Sequence, residues 1–410
     1  MTIEFKALVL RRLVEDDFTR SVTSVELMMG DEPLLQDMAT LADSGVSSDA
    51  AILAVLRKRC VECARMEDCE YNLKLLDRAV ILNIPEGTIE IPEDAFKECS
   101  SIAMLTLPDS VALVGPSAFF GCSSLKNLNL PHSLTKIERD AFGDLSNLTT
   151  LTIPDSVGSI RLRAFKGCSS LTSLSIPGSV VEIATGTFSG CNRLLSLTIP
   201  ESVTWIDNDA FQGCFSLTSL TILGPLVRIG LSTFSSCNSL KNLTLPSSLK
   251  IIETGAFSGC NSLVSLSIPD SVTFIGNGAF SGCSSLASLA VQGPIEEIRP
   301  AAFYGCRSLT KLSLPRSVTR IHEAAFFDCS SMTSLDIPDS VIEIHRAAFS
   351  GCGSLTSLTI PASVSSIGEA AFDGCSSLRT LTMPQIVRDL SMSFGGCPAD
   401  VTLSGHEAAE

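Results

Sequence analysis

The amino-acid sequence predicts an α/β solenoid of about fourteen turns, with parallel β-strands on one face and a small α-helical segment ahead of them. Three observations predict it. One phenylalanine recurs at a fixed interval along most of the chain, short apolar and polar runs alternate in phase with it, and charge density falls sharply near residue 78. Residues 1–80 hold 25 charged side chains and the remaining 330 hold 48, about half the density.

The interval is the strongest of the three, because self-similarity at a fixed period marks a repeat architecture before any single element is assigned. Phe96, Phe119, Phe142, Phe165, Phe188, Phe211, Phe234, Phe257, Phe280, Phe303, Phe326, Phe349 and Phe372 follow one another every 23 residues. Phe394 comes one residue early, as the degenerate last unit of an array does.

Residues 165–187 show how a unit is built. Leu171, Leu174 and Ile176 are spaced L-x-x-L-x-I, and Leu174 and Ile176 alternate with Ser173 and Ser175, the period of a short strand with one buried face. Pro177 ends the strand because it has no amide hydrogen to give a ladder. Val180 and Ile183 form a second apolar pair on the return path, and Ala164, Phe165 and Cys168 belong to a helical or turn-like corner. One unit cannot bury this face alone, whereas stacked units turn each position into a column. Each buried Leu, Ile or Phe then contributes roughly 1.5–3 kcal/mol, and at about 4.8 Å per strand the array is a rod or arc on the order of 65 Å long. Two units end in Gly224-Pro225 and Gly293-Pro294 in place of the usual Ile-Pro ending, and these variants are expected to bend the coil locally.

These boundaries divide the chain into a segment at 1–78, a solenoid at 79–404 and a tail at 405–410. In the first, Ser47 and Ser48 precede a run from Asp49 to Met66 with Ile52, Leu53, Val55, Leu56 and Cys60 at helical spacing. Ile3 to Met38 also reads as helical in pieces, broken at Gly30 and Pro33. Charges from Glu4 to Asp17 interrupt any secretory apolar core, so a cytoplasmic location is expected, with a surface location as the alternative. No apolar run reaches the roughly 18 residues of a membrane helix, and membrane insertion is not expected. A net charge of −15 argues against a grip on nucleic acid phosphates.

Twelve of the sixteen cysteines share one repeat position, Cys99, Cys122, Cys168, Cys191, Cys214, Cys237, Cys260, Cys283, Cys306, Cys329, Cys352 and Cys375, and Leu145 replaces them once. The site therefore asks for a small apolar group, and a column of buried reduced thiols is expected. Cys60, Cys63 and Cys69 are expected to pack a helix rather than hold zinc, since no histidine lies in the first 131 residues. His322 and His345 share a repeat position in adjacent units, which places them roughly 5 Å apart; no orienting carboxylate is expected beside them. There is no G-x-S-x-G elbow, no nucleotide loop and no metal constellation, so neither an enzyme nor a cofactor is expected.

The unit resembles the BspA-like leucine-rich repeats, whose pattern I-P-x-S-V-x-x-I-x-x-x-A-F-x-G-C-x-S-L stands here in Ile268 to Leu286 as IPDSVTFIGNGAFSGCSSL. The resemblance covers about residues 79–404. It implies a curved leucine-rich-repeat solenoid, common in bacterial and protist surface proteins proposed to mediate adhesion and protein binding, and it does not imply an enzyme.

Candidate partner-binding residues follow from departures at solvent-facing positions. The strand positions form a carpet of small hydroxyl and amide groups that includes Asn127 and Asn242, with Lys311 and Asp336 as its charged members at the central positions. On the return path Trp205, Ile251 and Phe274 stand where other units carry Glu182, Arg228 and Glu297, and Tyr304 and Phe327 are neighbours where Ser is usual. Large exposed apolar groups on a polar repeat are candidate anchors. The expected function is a non-enzymatic scaffold for a protein partner, with a surface adhesin binding host or matrix proteins or glycans as the alternative. Ice binding is disfavoured, because only Thr150/Thr152 and Thr380/Thr382 pair as it requires.

Overall fold

A computed structural model describes residues 72–76, 79–84, 86–100, 102–384, 394–398 and 402–406. Short strands with alternating burial stack in register along the chain. In Ser196–Ile199, Leu197 and Ile199 point inward while Ser196 and Thr198 face solvent. The strand pairs in parallel with Ser219–Ile222, Ser196 opposite Ser219 and Leu197 opposite Leu220. Every inward position thereby meets its own equivalent one unit later. The first ladder runs in two segments, one ending at Ser173–Ser175 and one from Ser196–Ile199 to Thr402–His406.

Strands were expected on one face only, and the structure adds a second ladder. The return-path pair is itself a two-residue strand in each coil, for example Glu182–Ile183, Trp205–Ile206, Arg228–Ile229, Ile251–Ile252 and Phe274–Ile275, all parallel to their neighbours. Ile183 and its equivalents turn inward, so this pair carries the same alternation as the longer strands in the shortest form that can pair.

The corners are turns, and among the described residues there is no helix, which corrects the α/β assignment to an all-β solenoid of about thirteen turns. The reason lies in the backbone. Arg163 and Gly167 flank Phe165 at φ 54° and 74°, a left-handed conformation that interrupts any helix and suits glycine best. Alternate amides then serve different partners: Lys166 N donates to Arg163 O within the turn (3.1 Å), whereas Phe165 N donates to Thr187 O (2.9 Å) and Gly167 N to Ser189 O (2.7 Å) of the next coil. Corner amides thus join the coils as the two ladders do.

Asn72–Leu76, inside the segment expected to be helical, is a strand that pairs antiparallel with Ala79–Asn83 and closes the first end of the stack. The helix expected at Asp49 to Met66, the helical pieces from Ile3 to Met38, and Cys60, Cys63 and Cys69 lie outside the described residues.

One continuous core runs from Leu82 to Leu381. Its spine is the phenylalanine column: the rings from Phe96 to Phe372 are fully buried and stack at centroid distances of 5.3–5.6 Å, an offset-parallel spacing. Beside it each thiol points at the backbone oxygen of a phenylalanine 26 residues earlier, from Cys122 Sγ to Phe96 O at 3.2 Å to Cys375 Sγ to Phe349 O at 3.6 Å. The thiol is therefore a small hydrophobe that also gives a weak hydrogen bond, which Leu145 cannot do. Where Thr187 and Thr233 replace the buried alanine before phenylalanine, each hydroxyl donates to a carbonyl in its own turn, Ala184 O and Gly230 O.

The Gly-Pro units differ from the others in their backbone bonds. Leu223 N and Gln292 N, standing where proline is usual, donate to Ile199 O (3.0 Å) and Ile268 O (3.2 Å). The second ladder runs through the first of these units, and its two breaks fall after Ser159–Ile160 and after Phe274–Ile275, the latter beside the second Gly-Pro unit.

Candidate interaction surface

The outward residues fall into three places. On the first ladder Asn127, Asn242, Lys311 and Asp336 are all exposed. Asn127 and Asn242 share one column but stand five coils apart. Lys311 lies opposite Ser334 and Asp336 opposite Ser313, so the two charges sit on adjacent strands in different columns. The ladder keeps these four residues separate. Hydroxyls flanking them are held against the previous coil, Thr172 Oγ1 to Thr149 O (3.0 Å) and Thr218 Oγ1 to Leu195 O (2.9 Å).

On the second ladder the register places Trp205, Arg228, Ile251 and Phe274 in one row. Trp205 is 39% exposed. Ile251 and Phe274, expected to be open to solvent, are half-buried. The Arg228 guanidinium lies 4.9 Å from the Trp205 ring centroid and that of Arg299 4.8 Å from the Phe274 centroid. These are cation–π contacts. Glu253 holds Arg228 at 3.0 Å and Glu297 holds Arg299 at 3.5 Å, which fixes both planes. Val181 and Val227, 54% and 44% exposed, extend the row on one side. Sequence reasoning missed them. The signal was present, since Thr204, Lys250 and Thr273 occupy the same repeat position.

At a corner, Tyr304 and Phe327 stack at 5.0 Å, with Tyr304 exposed and Phe327 half-buried. Arg307 and Asp328 pair nearby at 2.8 Å. Phe215, exposed where other units carry Asn192 and Asn238, was also overlooked.

His322 and His345 stack at 4.8 Å, in line with the spacing expected. The expectation that no carboxylate would stand beside them is overturned: Glu297 Oε2 lies 3.3 Å from His322 Nε2, and Glu343 Oε2 lies 3.3 Å from His345 Nε2. Arg320 joins the two carboxylates at 3.3 and 3.2 Å. The repeat explains this, because Glu297, Arg320 and Glu343 pair in one row of the second ladder while the histidines stand two residues further on in their strands' direction. Burial raises the Glu297 carboxyl, but His322, Arg320 and Arg299 outweigh it and hold it below its usual value. Among the described residues no group of three or more His, Cys, Asp or Glu is placed to hold a metal ion, and no helix is long and apolar enough to cross a membrane.

Comparison with known proteins agrees with this geometry. The sequence matches the BspA type leucine rich repeat region over residues 89–218, 158–287, 204–312 and 296–399. A leucine-rich repeat protein from Bacteroides ovatus is 28% identical, with a TM-score of 0.67, covering 83% of this chain and 98% of its own. A leucine rich cell surface protein from Faecalibacterium prausnitzii is 27% identical at a TM-score of 0.45, covering 73% and 94%. A leucine-rich repeat protein from Eubacterium ventriosum is 20% identical at 0.46, covering 74% and 92%. No curated protein matches. Coil length, interior columns and family match agree, and the chain belongs to the BspA-type leucine-rich repeat family.

Proposed function

We propose that the chain is a non-enzymatic scaffold that engages a protein partner through the second ladder around Trp205. The observation that carries this reading is the apolar row itself: Trp205 at 39% exposure, in register with Ile251 and Phe274 and flanked by Val181 and Val227 at 54% and 44%, where units such as those of Glu182, Thr204, Lys250 and Glu297 are polar. Tryptophan and arginine dominate the energetics of protein interfaces, and here they are stacked on each other before any partner arrives. A side chain held in place by a paired strand and a guanidinium loses little freedom on binding. Phe274 extends the row, whereas Tyr304 and Phe327 at the corner and Asn127, Asn242, Lys311 and Asp336 on the first ladder stand in other places and are left out of the contact. The proposal includes a cytoplasmic location, with a surface location as the alternative.

A photo-reactive residue in place of Thr204 tests the surface. The expected result is a discrete cross-linked protein whose capture falls at least tenfold in W205A/V227S and is unchanged in K311S/D336S. Equal capture by the W205A/V227S variant, or no protein captured, overturns the reading. Protease shaving of intact cells tests location: resistance supports the cytosolic scaffold, and cleavage from outside supports a surface adhesin.

A further inference from the structure

Each coil is joined to the next at the two ladders and at the corner. At one boundary both ladders are interrupted together. On the first ladder Ser173–Ser175 pairs back to Thr150–Thr152 and Ser196–Ile199 pairs on to Ser219–Ile222, but the two do not pair with each other. On the second, Ser159–Ile160 pairs back to Lys136–Ile137 and Glu182–Ile183 pairs on to Trp205–Ile206, again with no ladder between them. The later interruption, after Phe274–Ile275, is different, because there the first ladder stays whole, with Ser288, Leu289 and Ala290 opposite Lys311, Leu312 and Ser313.

The hydrogen bonds follow the same division. On either side of the boundary a return-path amide donates to its equivalent one coil back, Gly158 N to Thr135 O (3.1 Å) and Thr204 N to Val181 O (3.0 Å), and so does the amide after each short strand, Arg161 N to Ile137 O (3.0 Å) and Asp207 N to Ile183 O (2.9 Å). Among the described residues no such bond runs from Val181 N to Gly158 O or from Ala184 N to Ile160 O. Near the first ladder Leu195 N reaches Thr172 O at 3.3 Å, against 2.9 Å for Thr172 N to Thr149 O and for Thr218 N to Leu195 O. The inner Leu174 is half-buried, where Leu151 and Leu197 are 2% exposed. Gly158, at the entry to the interrupted strand, has nothing within 4 Å of an added Cβ, and glycine weakens a strand. The corner alone is intact: Arg163 N to Thr185 O (3.0 Å), Phe165 N to Thr187 O (2.9 Å) and Gly167 N to Ser189 O (2.7 Å) cross the boundary, and the Phe165 and Phe188 rings stack there at 5.6 Å.

We propose that this boundary is a hinge, at which the coils of Phe96 to Phe165 and the coils from Phe188 onward turn against each other as two bodies about the corner. Ladder bonds are what keep neighbouring coils from rotating, since each fixes the spacing and direction of a strand against the next. Here a rotation about the corner breaks no ladder, while the three corner bonds and the aromatic stack keep the bodies joined. Hinges work in this way, taking up movement at a few residues between elements that stay rigid. Val181 is the first return-path residue beyond the boundary, so Val181, Trp205 and Val227 travel together on the second body, and the hinge sets their angle to the four coils before them. The hinge rests on the backbone and does not depend on the partner proposed above.

Pulsed dipolar spectroscopy on the full chain, with Cys60, Cys63, Cys69 and the partly exposed Cys397 changed to serine, tests the hinge. N127C/N242C sets two spin labels on exposed positions of one column across the boundary, and N242C/S357C sets two at the same separation across the later interruption, where the first ladder is whole. Each pair spans five coils, about 24 Å at about 4.8 Å per strand. The expected distance distribution is at least about twice as broad for N127C/N242C as for N242C/S357C. Equal widths, or a broader second pair, overturn the proposal. Amide-resolved hydrogen exchange on the unlabelled parent gives a second reading: Val181 and Ala184 should exchange at least about tenfold faster than Thr204 and Asp207, and equal protection of the four overturns the proposal.

Discussion

Phe234 sits at the middle of the column, fully buried, with the Phe211 ring 5.5 Å away at 2° and the Phe257 ring 5.5 Å away at 11°. F234A removes a whole ring from a site whose walls are fixed by two ladders and by the corner bonds Phe234 N to Ala256 O and Phe211 N to Thr233 O. A buried Phe→Ala change costs about 3–5 kcal/mol, covering lost transfer energy and the residual cavity. Two aromatic contacts of about 0.5–1.5 kcal/mol each lie within that sum. Collapse offers little relief, because a coil cannot move inward without stretching the hydrogen bonds to both neighbours. Each unit contacts only its neighbours, so the loss is local. Hydrogen exchange should show amides of residues 211–257 opening about 100-fold or more faster, while those near Phe119 and Phe349 change little. A loss below about 1 kcal/mol at these amides would refute the reasoning that the phenylalanine column is the core.

Three further outcomes follow from the same geometry. Thiols raised from 9.0 to about 12 by burial contribute stability that is present below pH 9 and lost as pH rises toward 12; alkaline unfolding followed by circular dichroism should therefore fall between those values, and C214A should be weaker than the parent at neutral pH yet converge with it above pH 9. Glu297, held below its usual 4.5 by His322, Arg320 and Arg299 against its burial, contributes stability above that value and loses it as pH falls below it; E297Q should melt lower than the parent at pH 7 and match it at pH 3, with a small difference because the side chain is 28% exposed. A Cβ at Gly293 would lie 2.0 Å from Val272 O, so G293A should cost about 2 kcal/mol or more in chemical denaturation, and a neutral result would show that the coils are not packed this closely there.

The columns were legible in the sequence because a stacked repeat displays each interior position thirteen times, and one phase of Phe or Cys suffices to identify it. The second ladder was harder to read. Its strands are two residues long, as at Trp205–Ile206, too short for alternation to distinguish strand from turn. The corners read as helical or turn-like because Ala, Phe and Cys suit both; the left-handed residues at Arg163 and Gly167 decide it, and nothing in arginine announces a positive φ. Of the interaction surface, Trp205 and Tyr304 were legible as departures from their columns. The carboxylates beside His322 and His345 were not, because Glu343 stands two residues before His345 and Glu297 a coil and two residues before His322, outside the histidine column. Phe215 was missed for a related reason, since a single apolar substitution in a polar column looks like tolerance until its exposure is known, and Val181 and Val227 share a column in which Ile89 and Ile342 alternate with Thr and Lys.

In-register stacking of the coils is the claim on which both the core and the proposed surface rest. Spin labels at Ser219 and Asn242, paired outward positions on adjacent strands of the first ladder, measure it directly in a chain whose Cys60, Cys63, Cys69 and partly exposed Cys397 are changed to serine. With backbones about 4.8 Å apart, the doubly labelled protein should show strong exchange and dipolar broadening, weaker in a Ser219/Ser265 pair two coils apart. A Ser219/Asn242 spectrum equal to the sum of its singly labelled spectra would contradict the account.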